Sequence, residues 1–455
     1  MNSMPARTDR GPAYSLQTDP IPDEHPVDRH MNRSMNRSTL AHAAFASLLA
    51  SSLAPIAQAA ELFLLGLVPQ AYADDCSEDG KVVVGYDPQS YWYWTRETGV
   101  VQLIGQTVSP GNGVGGHGCM SADGRTMSCS TLQDVKGVSK AEGTQYDIQL
   151  TKYHPLGNLG FHCDIERNSV WGMSDDAVHV VGLMQQAFCD AIAYYRNTQT
   201  GQIVNLGTLY FYEASRANDV SDDGSTICGW NDDYVGWRQG AVWRRNADGT
   251  YTQTNMAAGP IKMSEAGCVS GNGQWVYGIG RTGYAGGAMW RWSAATGVQP
   301  VGANPSSGVG YAVATNFDGS KVLCFYGAMG GSGSYLWTAE NGYTPLSTLA
   351  ANAGVQIPEG WQLNLPLGMS DDGLTIVGTA YSTILNATSP FVLDLRPTKQ
   401  PCPADLDGNG EVGAPDIANL LGQWGGFGGS ADLDGNGEVG APDLAILLSA
   451  WGACP

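Results

Sequence analysis

The sequence predicts an all-β, seven-bladed β-propeller followed by a small all-α domain with two calcium loop-helix repeats. Three observations carry this prediction. A turn motif joined to a short β-branched strand recurs seven times along the middle of the chain. The 455 residues include 61 Gly, 13 Trp and 20 Tyr, a mixture typical of many short strands and tight turns. Two nearly identical acidic loops lie at the C-terminal end, each before an apolar stretch with helical spacing.

The composition excludes several classes of protein. Glycine without a three-residue period excludes collagen, and 43% hydrophobic residues are enough to bury a large core. The net charge of −20, with only 23 Lys and Arg, argues against a nucleic acid or an anionic membrane as the main partner. We therefore expect no nucleic-acid partner.

The chain begins with a polar segment over residues 1–30 that has no periodicity. We interpret it as an extra N-terminal segment, ahead of a true start at Met31 or Met35. It contributes nothing to the predicted fold.

Residues 31–59 have the three parts of a secretory signal peptide. Arg33 and Arg37 form the basic flank, an apolar run follows, and residues 57–59 form a small-x-small cleavage site. The alternative is a membrane anchor, which a second apolar patch at 62–68 keeps open. We predict a secreted or cell-surface protein that has no membrane contact once the signal is removed.

The seven repeats span residues 60–397, the predicted propeller. Each contains Ser-x-Asp-Gly or a close variant, and the turn glycines or their equivalents follow one another at intervals of 44 to 54 residues. The repeats start at Ser77, Ser121, Ser174, Ser221, Ser270, Asn316 and Ser370. Asp-Gly suits the positive φ angles of a two-residue hairpin turn, and β-branched residues suit the strand that follows.

Each repeat also has an aromatic strand, such as Tyr91–Trp94, whose large side chains fill the space between neighbouring sheets. Four short strands in about 47 residues is the size of one propeller blade, and closing the ring removes exposed sheet edges. The alternative architecture is a β-helix or an open solenoid. Exposed aromatics could instead stack on sugars, which leaves polysaccharide as one predicted ligand class.

This region resembles the bacterial extracellular HAF repeats, whose unit is similar to Val-Ser-x-Asp-Gly-x-x-Val-Val-Gly followed by a Trp-Thr strand. The match covers roughly residues 70–395 and is clearest at 220–230 and 369–378. The resemblance implies a secreted propeller and no defined reaction.

The C-terminal loops have EF-hand spacing, with oxygen ligands at positions 1, 3, 5 and 12, a backbone carbonyl at 7, and Gly at 6. The predicted ligands are Asp405, Asp407, Asn409, Glu411 and Asp416 in the first loop, and Asp432, Asp434, Asn436, Glu438 and Asp443 in the second. Carboxylate and amide oxygens suit a hard cation, so we predict two calcium ions. An amphipathic helix is expected after each loop, with Leu420, Trp424, Leu447 and Trp451 on its apolar face.

Residues 402–455 resemble a type I dockerin, the module that docks onto a cohesin in polysaccharide-degrading assemblies. The resemblance implies a cohesin-like or cell-surface anchoring partner. Both copies have Ala-Pro at loop positions 10 and 11, where better-known dockerins carry polar pairs used in cohesin recognition. The resemblance therefore supports calcium binding more strongly than it supports a cohesin partner of the well-known kind. Cys402 and Cys454 bracket this domain, and we predict that they form a disulfide. Residues 398–401 are the predicted linker.

The catalytic residues are unknown. The repeated acids beside the turn glycines, Asp79, Asp123, Asp176, Asp223, Asp318 and Asp372, are best explained as turn residues. His117, His154, His162 and His179 lack the spacing of a zinc site. Eight of the ten cysteines fall in the propeller region, where their pairing cannot be deduced from the sequence.

The preferred interpretation is a secreted propeller that serves as a binding domain and is attached through its dockerin-like module. It favours a protein that is not an enzyme and, if it is one, a hydrolase of O-glycosyl bonds. The alternatives are a polysaccharide-active hydrolase or lyase carried by its dockerin, and a structural protein of the cell envelope.

Overall fold

The computed structural model describes residues 60–66, 68–110, 115–135, 137–159, 166–186, 189–210, 213–327, 333–396 and 402–454. The extra N-terminal segment at 1–30, the signal peptide at 31–59 and the linker at 398–401 lie outside these residues. No helix in the described part of the chain is both long and apolar enough to cross a membrane.

Seven antiparallel sheets form the predicted seven-bladed propeller, which is confirmed. Blade 1 contains Tyr72–Cys76, Val82–Tyr86, Tyr91–Thr95 and Gly99–Gln102. Blade 2 contains Thr126–Val135, Val138–Asp147 and Lys152–Pro155, with its innermost position held by a bridge between Met120 and Met127. Blade 3 contains Asn168–Met173, His179–Gln185, Ala191–Asn197 and Ile203–Gly207.

Blades 4 to 6 have four strands each. Blade 4 contains Ser215–Val220, Thr226–Asp232, Arg238–Arg245 and Tyr251–Asn255. Blade 5 contains Ala266–Val269, Val276–Gly278, Trp290–Ser293 and Gly297–Pro300. Blade 6 contains Gly310–Thr315, Lys321–Tyr326, Gly333–Thr338 and Gly342–Pro345. The connections add a two-stranded hairpin formed by Ala257–Ala258 and Ile261–Lys262. They also add a short 3₁₀ turn at Ala285–Gly287 and helix α1 at Leu346–Asn352.

Blade 7 is assembled from both ends of the propeller region. Its inner three strands are Trp361–Met369, Thr375–Ser382 and Ala387–Asp394, and its outermost strand is Glu61–Leu64. The register places Glu61 opposite Asp394. The N-terminal strand therefore closes the ring, which rules out the open solenoid, and residues 62–64 of the apolar patch belong to this strand.

The repeated motif forms the turn between the first two strands of each blade. In blade 1, the Gly80 N–H donates to the Ser77 carbonyl at 2.8 Å, and the Ser77 N–H donates to the Val82 carbonyl at 2.9 Å. Gly80 has φ +68°, whereas Asp79 is not in the left-handed region. The expected two-residue turn is therefore wrong. The motif makes a longer loop in which only the glycine takes a positive φ.

The glycine in the strand that follows the turn, such as Gly85 or Gly229, is required for a different reason from the turn glycine. A Cβ on Gly85 would lie 1.9 Å from the Tyr72 carbonyl oxygen, and one on Gly229 would lie 2.1 Å from the Arg216 carbonyl oxygen. These carbonyls belong to the innermost strand of the same blade. The motif ends in glycine because the second strand passes too close to a bulge in the first for any side chain to fit.

The core lies between the blades. Trp92, Trp243 and Trp290 are buried between the sheets, as the aromatic strands predicted. Tyr91 is also fully buried and Trp94 nearly so. Tyr91, Trp92 and Trp94 therefore serve packing between the blades and are unavailable for stacking on sugars.

The C-terminal domain has two helices, α2 at Ala414–Gly422 and α3 at Ala441–Ser449, and a small two-stranded sheet formed by Glu411–Val412 and Gly452–Ala453. Leu420 and Leu447 are fully buried in its core. Trp424 and Trp451 lie beyond the helix ends and are 46% and 54% exposed, so the predicted apolar faces are only half buried.

Candidate metal centre and propeller channel

Each C-terminal loop brings three aspartates together. In the first loop, carboxylate oxygens of Asp405, Asp407 and Asp416 all lie within 4.8 Å of one another. Asp432, Asp434 and Asp443 repeat the arrangement in the second loop. Among the described residues, these are the two groups with the composition and spacing to hold a metal ion.

The last aspartate of each loop is positioned by backbone donors. The Asp416 carboxylate accepts the N–H of Leu406 at 2.7 Å and that of Gly413 at 2.7 Å. Asp443 accepts the equivalent bonds, from Leu433 and Gly440, at 2.7 Å each. The Gly440 bond and its neighbours hold the pKa of Asp443 below its usual range, so this side chain is an anion at neutral pH.

The amide residues at position 5 turn towards the loop itself. The Asn409 Nδ2 group donates to the Asp407 carboxylate at 2.9 Å, and its Oδ1 accepts the Glu411 N–H at 2.9 Å. Asn436 does the same with Asp434 and Glu438, at 2.7 and 2.9 Å. The side chains of Glu411 and Glu438 are exposed, which fits their predicted contribution through the backbone carbonyl alone.

One atom of the second loop points to a bound cation. Asp432 Oδ1 is buried and has no hydrogen-bond partner among the described residues. Its counterpart in the first loop, Asp405 Oδ1, accepts the Asn409 N–H at 3.1 Å. Burying a carboxylate oxygen without a donor is unfavourable, and a cation between the three aspartates would satisfy it.

The predicted disulfide between Cys402 and Cys454 is present, with the two Cα atoms 5.9 Å apart. The Cys454 N–H also donates to the Gly410 carbonyl at 3.0 Å, inside the first loop. The disulfide therefore ties the end of the domain to the backbone of one metal loop.

The second candidate site is the central channel of the propeller. It encloses a cavity of about 460 Å³ that runs along the innermost strands of the blades. Eight acidic residues line it, together with a single arginine: Asp74, Asp75, Glu78, Asp175, Asp219, Asp222, Glu265, Asp371 and Arg216. This excess of negative charge is the main chemical feature of the channel.

Four of these acids occupy the x position of the Ser-x-Asp-Gly motif, and they define the turn end of the channel: Glu78, Asp175, Asp222 and Asp371. The turns of neighbouring blades are linked by backbone bonds, such as Ala122 N–H to Asp175 O at 2.9 Å and Asp222 N–H to Gly271 O at 2.9 Å. These backbone bonds hold neighbouring turns together, and four of the seven turns place a carboxylate at this end of the channel.

Asp75 and Asp219 lie further along the channel than the turn acids, and each links its own blade to the next one through a hydrogen bond. The Asp75 carboxylate accepts the N–H of Met120 in the next blade at 2.8 Å. Asp219 accepts the N–H of Val269 in the same way, at 2.8 Å. Both follow a β-bulge, which turns consecutive side chains of the innermost strand towards the channel.

The opposite mouth, which we call the entry end, mixes charged and aromatic side chains. Arg216 stacks over Trp171, with the guanidinium carbon 3.5 Å from the ring centroid, and pairs with Glu265 at 2.6 Å. The Asp74 Oδ2 atom accepts the Gly118 N–H at 2.9 Å. Asp74 Oδ1 is buried without a hydrogen-bond partner, and His117 Nδ1 lies 3.7 Å from it.

Burial makes several channel carboxylates weak acids. It raises the pKa of Asp75 and of Asp219 to about 7 each, against the backbone bonds that oppose the shift. Burial and the charges of Asp222 and Asp371 raise the pKa of Asp175 to about 8. Near neutral pH the channel therefore holds protons that a bound cation would displace.

The repeated turn acids have the structural role that the sequence predicted. Asp79 accepts the Ser77 hydroxyl at 2.8 Å and the Lys81 N–H at 3.0 Å, both within its own turn. Asn272 does the same in blade 5. The channel acids beside them were missed, although four of them share one motif position, and that shared position is the signal that would have identified them.

The histidines form no metal site within the described part of the chain. His117 stacks against Trp171 with ring centroids 4.6 Å apart, whereas His179 bonds the Tyr195 hydroxyl at 2.7 Å within blade 3. His162 lies outside the described residues.

No family model matches the chain, and no curated protein matches it. Several solved structures share the propeller fold. An oligogalacturonate lyase from Vibrio parahaemolyticus is 14% identical, with a TM-score of 0.48, over 73% of this chain and 93% of that one. The propeller domain of the Trilobed protease from Pyrococcus furiosus is 11% identical, with a TM-score of 0.46, over 73% of this chain and 100% of that one.

A further structure is described as oligogalacturonate lyase in complex with manganese; it is 14% identical, with a TM-score of 0.48, over 74% of this chain and 93% of that one. These similarities correct the enzyme expectation. Two of these structures are described as lyases and one as a domain of a protease, so neither the preference for a protein that is not an enzyme nor the O-glycosyl hydrolase class is retained. At such low identity the likeness shows the fold alone: the chain is a seven-bladed β-propeller with a C-terminal domain that contains two acidic clusters.

Proposed function

We propose that the protein is a secreted or cell-surface propeller that is attached to a partner through a calcium-binding, dockerin-like C-terminal domain. The observation that carries the proposal is the duplication of one aspartate triad in two loops of identical spacing. The buried Asp432 Oδ1 atom, which lacks a donor, supports a cation in the second loop. Secretion rests on the signal sequence at residues 31–59.

Calcium is the proposed ion. In each loop three carboxylates would supply charge, the Asn at position 5 an amide oxygen, and the Glu at position 7 its backbone carbonyl. Calcium accepts six to eight oxygens at flexible geometry, whereas magnesium demands a rigid octahedron and keeps several waters. Loops built from flexible aspartates and glycines suit the larger ion.

The attachment surface is proposed to be the exposed apolar pairs of the two halves. Leu421 and Trp424 in the first half correspond to Leu448 and Trp451 in the second, and all four are between 46% and 54% exposed. Exposed apolar groups repeated on a small domain are typical of a protein-binding surface. A cohesin-like or cell-surface anchoring protein is the proposed partner, and the propeller is proposed as the binding domain that it carries.

Calcium titration of the full-length protein tests the metal proposal. We expect two equivalents to bind and the C-terminal domain to become more stable, because binding to the native state raises stability. Asp405→Ala and Asp432→Ala should each remove one equivalent. Glu340→Ala changes an exposed acid of blade 6 and should change neither quantity. Absence of binding and of any shift in the unfolding temperature would contradict the proposal.

Docking is tested separately, with a type I cohesin domain as the probe. We expect a complex in calcium that dissociates in EDTA and that weakens about tenfold or more in Trp424→Ala/Trp451→Ala. Trp237→Ala alters a tryptophan of blade 4 that is 70% exposed and serves as the control. Failure to bind the cohesin, or equal binding by the double variant, would remove docking and leave the calcium proposal standing.

A further inference from the structure

The channel carries more negative charge than its own residues neutralise. Arg216 is the single Lys or Arg among the described residues that line the channel. Its guanidinium already forms a salt bridge with the Glu265 carboxylate at 2.6 Å. The other seven lining acids have no Lys or Arg partner within that cavity. Carboxylates crowded in a partly enclosed space repel one another, and a cationic ligand would relieve that repulsion.

Asp74 points independently to a ligand. Its side chain is only 2% exposed, and one oxygen is held by the Gly118 N–H while Oδ1 has no hydrogen-bond partner. The His117 ring nitrogen is 3.7 Å from Oδ1, beyond hydrogen-bond distance. Asp74 lines the cavity, so a donor bound in the channel would lie close to this carboxylate.

The arrangement does not suit a bare metal ion. Among the described residues, only the C-terminal loops bring three ligand atoms within 4.8 Å of one another, and the channel acids do not. The channel carboxylates are instead distributed along the axis. Asp74 and Glu78 lie four residues apart on one innermost strand and the turn that follows it, a separation of roughly 10–13 Å.

We propose that the channel binds a slender organic cation with two or more amine groups. One amine would bond Asp74 at the entry end, and another would lie among Asp175, Asp222 and Asp371 at the turn end. Ammonium groups carry three donors each and can satisfy several carboxylates at once. An extended triamine is long enough to span the two ends, whereas a monoamine can reach only one.

Spermidine is the probe, titrated into the full-length protein with calcium present at saturation of the C-terminal loops. We expect one spermidine per chain, with an affinity that falls as salt is added. Propylamine, with one amine, should bind at least about tenfold more weakly, since it forms only one set of charge-assisted bonds.

Two single variants locate the binding. Asp74→Asn and Asp371→Asn should each weaken spermidine about ten- to a hundredfold, because each removes one charged acceptor at one end of the channel. Asp222→Asn is a second variant for the turn end should Asp371→Asn fail to fold, and a thermal unfolding curve checks each variant. Glu340→Gln removes an exposed acid outside the channel and should leave the affinity unchanged.

Three results would overturn the inference. The first is no spermidine binding at millimolar concentration. The second is equal weakening by Glu340→Gln and Asp371→Asn, which would mean diffuse attraction to the acidic surface. The third is a third equivalent of calcium that displaces spermidine, which would make the channel a metal site.

Discussion

Two acidic positions of one four-residue motif have different roles at the residue scale. Asp79 bonds its own turn, and so does each of its equivalents, whereas the preceding Glu78 faces the channel. The first role is local, since a carboxylate two residues after a serine caps the same loop wherever the loop lies. The second role exists only once seven turns surround a common axis.

The pH dependence of the free energy of unfolding should report the raised pKa of the channel acids. Asp175 has a pKa raised to about 8 by burial and by Asp222, Asp371, Asp75 and Glu78, against an unfolded value near 4. The folded chain therefore holds an extra proton between about pH 4 and pH 8, and its stabilising effect is lost as the pH rises through 8. We expect Asp175→Asn to flatten this decline, by at most about 1.4 kcal/mol per pH unit.

The measurement is urea unfolding between pH 5 and pH 8.5 in EDTA and without amines. Glu340→Gln is the matched control and should keep the slope of the unaltered protein. A slope that Asp175→Asn leaves unchanged would mean that Asp175 titrates normally in the folded state.

At the scale of elements, the seven turn motifs were sufficient to predict the number of blades, because each turn and its following strand are specified by adjacent residues. Blade 7 was harder to predict. Its outer strand, Glu61–Leu64, pairs with Ala387–Asp394 from the far end of the propeller, and no local pattern reports such a pairing. The aspartate triads were predictable because each loop is contiguous, whereas the eight channel acids come from five blades.

Deleting Glu61–Leu64 should destabilise the propeller. Leu62 and Leu64 pack on the core of blade 7, and Phe63 packs on Trp94 of blade 1 with ring centroids 5.1 Å apart. Losing these contacts should cost roughly 3 kcal/mol or more and leave Ala387–Asp394 as an open edge that aggregates. Thermal unfolding and light scattering measure both effects.

Deletion of residues 1–30 is the control, because it leaves the closing strand intact. An unaltered unfolding temperature after loss of Glu61–Leu64 would show that the strand does not hold the ring closed.

The C-terminal disulfide should protect one loop more than the other. The double variant Cys402→Ser/Cys454→Ser removes a disulfide that joins residues 52 positions apart. In the chain-entropy model this loss lowers the free energy of unfolding by about 4 kcal/mol. Because Cys454 N–H bonds Gly410 and the end strand pairs with Glu411–Val412, the first loop should lose most protection. Hydrogen exchange followed by mass spectrometry compares residues 405–416 with 432–443. Equal loss in both loops would contradict this coupling.

For the whole molecule, cysteine count proved a poor guide to disulfides. Six cysteines in the described part of the propeller are free and buried: Cys76, Cys119, Cys129, Cys228, Cys268 and Cys324. Cys189 is disulfide-bonded. An even number of cysteines in an exported chain permitted pairing throughout, but five of these six lie on strands, Cys119 precedes the Met120 bridge, and all six pack as small apolar groups.

These six thiols should be inert in the native protein. Burial raises the pKa of each, those of Cys76, Cys119, Cys228 and Cys268 especially, so little thiolate is present at neutral pH. We expect no labelling of the six by a thiol reagent until guanidinium unfolds the chain, when peptide mapping should find all six labelled. Native labelling at the unfolded rate would contradict their burial.

The strand pairing of Glu61 with Asp394 also bears on synthesis. The first strand to leave the ribosome has no edge to join until almost the whole propeller has followed it, so the slowest contact is the one of greatest sequence separation. A chain that stops early can build individual blades but leaves its ends unjoined and open to proteases. Ring closure thus distinguishes a completed propeller from one whose synthesis stops before Asp394.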